Sequence, residues 1–139
     1  MCKITYFCLY TCICISFCPA GDLCHTLEGH TLELVCLGFN PHGTMAVTGS
    51  MDSTARLWNV ATGAPLAILS DHEGELISVA FNSTGELLLT GSFDRTARVW
   101  DVRTGKCVHR LDGHGGEVKH LLHMALHMAL PVVVTVDCN

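Results

Sequence analysis

Residues 30–63, HTLELVCLGFNPHGTMAVTGSMDSTARLWNVATG, are answered by residues 72–105, HEGELISVAFNSTGELLLTGSFDRTARVWDVRTG. His30 recurs as His72, Asp52 as Asp94, Trp58 as Trp100 and Gly63 as Gly105, each 42 residues further on. A repeat of roughly 40–45 residues is one supersecondary unit that cannot bury its apolar surface alone and must stack on its neighbours. Inside each unit the apolar pattern falls into four short runs separated by Gly, Asn, Asp and Ser, which predicts a four-stranded sheet per repeat and an all-β chain.

The first full unit, residues 29–70, predicts strands over 33–39, 45–49, 54–60 and 65–69. In the first of these Val35, Leu37 and Phe39 alternate with the period of a pleated strand. Asn40-Pro41-His42-Gly43 supplies turn chemistry, and Ser50 to Ser53 and Ala61 to Gly63 supply the two further connections. Pro65 has no donor for a ladder and belongs at a strand start on an edge. The second unit, 71–112, repeats the scheme over 75–81, 87–91, 96–102 and 106–111. Gly21 and Leu27 precede Gly63 and Leu69 by the same interval, so 20–28 reads as the last strand of a preceding unit. Gly113-His114 opens a third unit, read over 113–122, and the pattern ends where His123-Met124 stand in place of Phe-Asn.

Residues 1–19 and 123–139 lie outside the repeat. The first segment is apolar and rich in cysteine, with Lys3 as its only charge. It reads either as a secretory signal, with Ile4 to Phe17 as the apolar region and Cys18-Pro19-Ala20 as the cleavage site, or as an unrelated segment joined to the repeats near residue 20. It is shorter than the roughly 20 apolar residues of a membrane span. Cys8, Cys12, Cys14 and Cys18 crowd one short stretch without the structured spacer that separates zinc knuckles, so no metal is assigned to them. His120, His123 and His127 have helical spacing but no general base beside them, and they are read as part of an apolar tail.

Composition narrows the class further. A formal charge of −5 over 139 residues disfavours nucleic acid, whose phosphates call for a basic surface. No phosphate-binding loop, two-carboxylate site or nucleophile elbow is found. Ser50, His30 and Asp52 lack the Gly-x-Ser-x-Gly setting of a hydrolase nucleophile. No catalytic residue, cofactor, metal or small-molecule substrate is therefore assigned.

Thr-Gly-Ser-x-Asp and Thr-Ala-Arg-x-Trp occur in both units, and Glu33, Glu75 and Glu117 follow each opening His by three residues. These strings resemble the WD40 repeat family, and within it the dynein assembly factors with WD repeats. The resemblance covers about residues 20–122. Asp71 stands where Gly is expected before His72, and Asn59 replaces the Asp of the first Trp-Asp pair. The resemblance implies a β-propeller, of which this chain supplies two complete four-stranded blades and parts of the flanking ones, too few to close a ring of roughly four to eight. It also implies a buried hydrogen-bonded set in each blade: His30, Thr48, Asp52 and Trp58 in the first, His72, Thr90, Asp94 and Trp100 in the second. Met51 and Phe93, just before each turn Asp, would lie on the rim where partners dock.

The function so implied is a cytoplasmic, non-enzymatic adaptor acting at the base of the cilium or flagellum or at the axoneme. Its partners would be outer-arm dynein subunits and the ciliary transport machinery. Another WD40 scaffold, such as a ubiquitin-ligase receptor or a motor regulator, is the alternative within the fold. A secreted or membrane-tethered module directed by residues 1–20 is the alternative outside it.

Overall fold

The computed structural model describes residues 12–16 and 23–112. Among these the regular structure is entirely β, in ten strands. A two-stranded sheet holds β1 (Cys12–Ser16) and β2 (Leu23–Glu28). A four-stranded antiparallel sheet follows, in the order β3 (Leu34–Phe39), β4 (Met45–Ser50), β5 (Ala55–Asn59) and β6 (Pro65–Leu69). The second such sheet comprises β7 (Leu76–Phe81), β8 (Leu87–Ser92), β9 (Thr96–Asp101) and β10 (Lys106–Asp112). Each four-stranded sheet is a meander joined by tight connections, as the turn residues require. The third unit from Gly113, the histidines of the tail and most of residues 1–19 lie outside the described residues.

The strand bounds follow the expected runs to within a residue or two, but the alternation in the first strand does not. Leu34 pairs with Ser50 and Cys36 with Gly49, leaving Val35 as the extra residue of a bulge. A bulge shifts the phase of the pleat. Accordingly Val35 is 41% exposed, and Leu34 joins Leu37 and Phe39 against the core. Ile77 occupies the same place between Leu76 and Ser78 in the second sheet.

The N-terminal segment also departs from expectation. Sequence patterning places 23–27 in a blade whose other strands are missing, with 1–19 outside the repeat. In the structure β1 pairs with β2 through Ser16↔Leu23, Ile15↔His25, Cys14↔Thr26 and Ile13↔Leu27, with an irregularity between Ile15 and Ser16. The pairs Trp58↔Pro65, Leu57↔Ala67, Arg56↔Ile68 and Ala55↔Leu69 are the same register one period later, irregularity included. Cys107↔Trp100 and His109↔Val99 repeat it once more. β1 thus fills the third-strand place of the preceding blade without its signature residues. Ladder pairing is made by backbone groups, and Ile-Cys alternation is adequate for an extended strand.

The core is built between sheets. Val47, Ala55, Leu57 and Leu69 from the first blade pack against Leu76, Phe81, Leu88 and Trp100 from the second, forming one cluster. The opposite face of the first blade buries Ala46, Trp58 and Val60 with Leu27 of β2. Consequently β4 is buried along nearly its whole length, as a central strand with both faces covered must be. β7 lies across β3 and β4, close enough that a Cβ on Gly49 would come within 3.3 Å of Leu76 and Val79 and within 2.5 Å of the Cys36 Sγ. At the other end of the blade Gly63 has φ of 71° and lies under His25, whose Nε2 bonds the Ala61 carbonyl at 2.8 Å. Only a residue without a Cβ meets both demands.

Candidate functional site

The residues singled out by the repeat come together at one end of each blade. His30 lies in the segment leading into β3 and Thr48 near the end of β4. Asp52 follows in the connection to β5, which carries Trp58. The His30 Nδ1 lies 2.9 Å from Asp52 Oδ2, and its Nε2 lies 2.7 Å from Thr48 Oγ1. The Trp58 indole N–H donates to the same Thr48 oxygen at 2.9 Å. The second blade repeats the arrangement with His72–Asp94 at 2.8 Å, His72–Thr90 at 2.7 Å and Trp100 to Thr90 at 2.8 Å.

Donor and acceptor inventories fix the proton positions. A carboxylate only accepts and an indole only donates. Nδ1 of His30 therefore carries the proton and donates it to Asp52. Nε2 accepts from the Thr48 hydroxyl, which in turn accepts from Trp58. Every group is satisfied with a neutral imidazole, whereas a proton on Nε2 would leave the Thr48 hydroxyl hydrogen without its acceptor. Burial lowers His30 and His72 below their usual 6.5, more than the adjacent carboxylates raise them. Burial by itself would raise Asp52 and Asp94. Hydrogen bonds from Thr54 and His30, and from Thr96 and His72, outweigh it and hold both carboxyls below the ordinary 3.8.

Four further side chains belong to the network. Thr54 donates both its backbone N–H, at 2.9 Å, and its hydroxyl, at 2.6 Å, to Asp52 Oδ1. Thr96 does the same for Asp94 at 2.8 and 2.7 Å. The Ser50 hydroxyl reaches the Leu32 and Glu33 carbonyls and accepts from the Asp52 N–H. Ser92 bonds Gly74 O and the Asp94 N–H. Each recurs at the 42-residue interval, so the signal for them is present in the sequence; only the geometry shows them closing the turn. Since the Ser50 hydroxyl is engaged by Leu32 and Glu33 and both His30 nitrogens by Asp52 and Thr48, Ser50, His30 and Asp52 do not form a nucleophilic triad. Among the described residues no grouping of His, Cys, Asp and Glu could hold a metal ion. The set from Cys8 to Cys18 is only partly described. No helix among them is long and apolar enough to cross a membrane.

The structure separates the two rim residues. Phe93 is 68% exposed, whereas Met51 is partly buried. Their backbones are held alike, Met51 N–H donating to Glu33 O and Phe93 N–H to Glu75 O, both at 2.9 Å. Leu32, 52% exposed beside the Ser50 turn, is a second apolar side chain on this end of the blade. The repeat comparison misses it because Gly74 stands at the matching position.

Comparison with known proteins agrees with this geometry. The family model described as "WD domain, G-beta repeat" matches residues 21–59 and 63–101, more than half of the chain. The chain is 38% identical over 48 residues to the Notchless protein homolog of Arabidopsis thaliana, covering 34% of this chain and 10% of that protein. It is 45% identical over 40 residues to Protein Mut11 of Chlamydomonas reinhardtii, covering 29% and 11%. With the Periodic tryptophan protein 2 homolog of Neurospora crassa the identity is 44% over 55 residues, covering 37% and 6%. The chain thus spans about a tenth or less of the length of these relatives, and their names point to no shared process.

Proposed function

The chain belongs to the WD40 family of G-beta repeats, and from that premise we propose that it is a non-enzymatic protein-binding scaffold serving the assembly or ciliary transport of outer-arm dynein. The observation that carries the scaffold reading is the setting of Phe93. It is 68% exposed, yet its neighbour Asp94 is tied by His72, Glu73, Ser92 and Thr96. An aromatic presented on an immobilised turn contributes contact area with little ordering cost, which is the physical profile of an interface anchor. The catalytic alternative is disfavoured because the polar side chains at this end are engaged with one another.

The dynein assignment is supported by the resemblance of the Thr-Gly-Ser-x-Asp and Thr-Ala-Arg-x-Trp strings, with Glu33 and Glu75, to the dynein assembly factors. Its corollaries are partners among outer-arm dynein subunits and the ciliary transport machinery, and a place in the cytoplasm at the base of the cilium or flagellum or in the axoneme. The test is capture of outer-arm dynein subunits by the full chain and by Phe93→Ala. The variant is expected to bind at least about tenfold more weakly, as loss of one interface aromatic allows, with its melting temperature little changed. Failure of the unaltered chain to capture dynein subunits removes the dynein assignment. Loss of stability in step with binding makes Phe93 a packing residue.

A further inference from the structure

Arg56 and Arg98 occupy the same position in consecutive blades, each second in the string Ala-Arg-x-Trp, but they have different surroundings. Arg98 Nη2 donates to the Asp71 carbonyl at 2.8 Å, and its Nη1 lies 3.6 Å from the Asp71 carboxylate. The residue matching Asp71 one period earlier is Gly29. The Arg56 guanidinium lies directly against Gly29, in the space a Cβ there would enter. Yet among the described residues it makes no hydrogen bond or ion pair, and its Nε is a buried donor without an acceptor. Gly29 is exposed and Arg56 partly so, so the place beside the guanidinium is open to solvent.

An arginine fork is built to take a planar carboxylate through two N–H groups. In the second blade the residue before the opening His answers one end of the fork with its backbone carbonyl and the other, at 3.6 Å, with its carboxylate. In the first blade the same arginine is held by the same ladder, Arg56 opposite Thr48 and Ile68 as Arg98 is opposite Thr90 and Arg110, and the carboxylate is missing. The Nε of Arg98 is buried without an acceptor just as that of Arg56 is, so the two blades differ at the terminal nitrogens, which in Arg98 meet Asp71 and in Arg56 meet no partner among the described residues. The geometry points to Arg56 as a receptor for an acidic side chain, Asp or Glu, of a bound protein, entering over Gly29 as Asp71 enters over Arg98. The identity of the carrier as a protein rests on the scaffold reading above. The carboxylate site itself does not, and the test separates the two.

The test follows the side-chain Nε–Hε resonances of the full chain by NMR during titration with a blocked aspartate peptide, N-acetyl-Asp-N-methylamide, at constant ionic strength against sodium chloride. Arg56→Lys identifies its resonance. A saturable shift at Arg56, with a dissociation constant on the order of 100 mM as one partly exposed ion pair allows, is expected, while Arg98 stays unmoved. Asp71→Gly, which places at position 71 the residue found at 29, should make Arg98 a second responder. Equal shifts in chloride, no shift at Arg56, or an Arg98 that is indifferent to loss of Asp71 overturns the site. A response to the peptide without capture of any acidic protein segment upholds the site and removes only its assignment to a protein partner.

Discussion

At the scale of single residues, Asp94 illustrates why the repeated polar positions are structural. It accepts from the His72 ring, from the Glu73 and Thr96 backbone and from the Thr96 hydroxyl. Asp94→Ala in the full chain leaves a buried imidazole N–H and two backbone donors to solvent or to nothing, and is expected to cost about 1–3 kcal/mol. Glu86→Ala, at an exposed turn, should cost under about 0.5 kcal/mol; paired urea titrations check the difference. The same residues set an acid sensitivity. His30 and His72 titrate lower in the fold than the 6.5 of the free group, so as pH falls below about 6.5 the unfolded chain takes up protons first and stability declines. Asp52 and Asp94 are also depressed in the fold. Their contribution is present above about pH 4, the unfolded carboxylate value, and is lost as pH falls from there toward the lower folded values. Both effects have one sign: the melting temperature should be flat between about pH 7 and 8, fall between about 6.5 and 4, and fall more steeply below.

Among the elements, the strands are distinguished by where they sit in the stack. β4 is a central strand covered on both sides, while β6 and β10 are outermost, with Leu66, Ile68 and Val108 exposed. The first strand of each blade is bulged at its entry, which turns Val35 outward and brings Leu34 in. The bulge also sets the half-buried Cys36 opposite Gly49, with its sulfur beside the place where the second blade's Leu76 and Val79 approach. Burial pushes the Cys36 thiol up to about 12 from the usual 9.0, which leaves roughly 1,000-fold fewer thiolates than an ordinary cysteine at the same pH. Iodoacetamide labelling at pH 8, read by peptide mass, should therefore spare Cys36 in the native protein and modify it readily after unfolding in urea. Rapid native labelling would show that the seam between the blades opens.

For the whole molecule, stability resides in the interfaces between blades, since neither face of a blade is covered by its own residues. Leu76 belongs to the second blade, has no exposed surface, and packs in the cluster with Val47, Leu57 and Leu69 of the first. Leu76→Ala is expected to cost about 2–5 kcal/mol in the full chain and to loosen both blades together. Leu66→Ala, at a half-exposed outer strand, should change stability by less than about 0.5 kcal/mol. Hydrogen exchange resolves the distinction: slow amides of β4 and β8 should lose protection in parallel in the first variant and remain unchanged in the second.

The sequence by itself determined the period and the four strands per unit, because each depends on local pattern and on residue types recurring at a fixed interval; the two His–Thr–Asp–Trp sets came from the resemblance those recurring types carry. It also flagged Asp71 as a departure, but not its consequence. The tertiary structure decided that Asp71 meets Arg98 while Arg56 lies against Gly29 without a carboxylate, since the partners are 27 residues apart. It decided that Phe93 projects while Met51 is partly covered, a difference in surroundings at matching positions. It decided, too, that residues 12–16 continue the blade register upstream of the legible repeat. Side-chain chemistry writes a pattern that can be read along the chain. Backbone pairing and the packing of one blade on the next leave no such mark, because any extended segment of suitable length can supply the ladder and only the assembled stack fixes what each side chain touches.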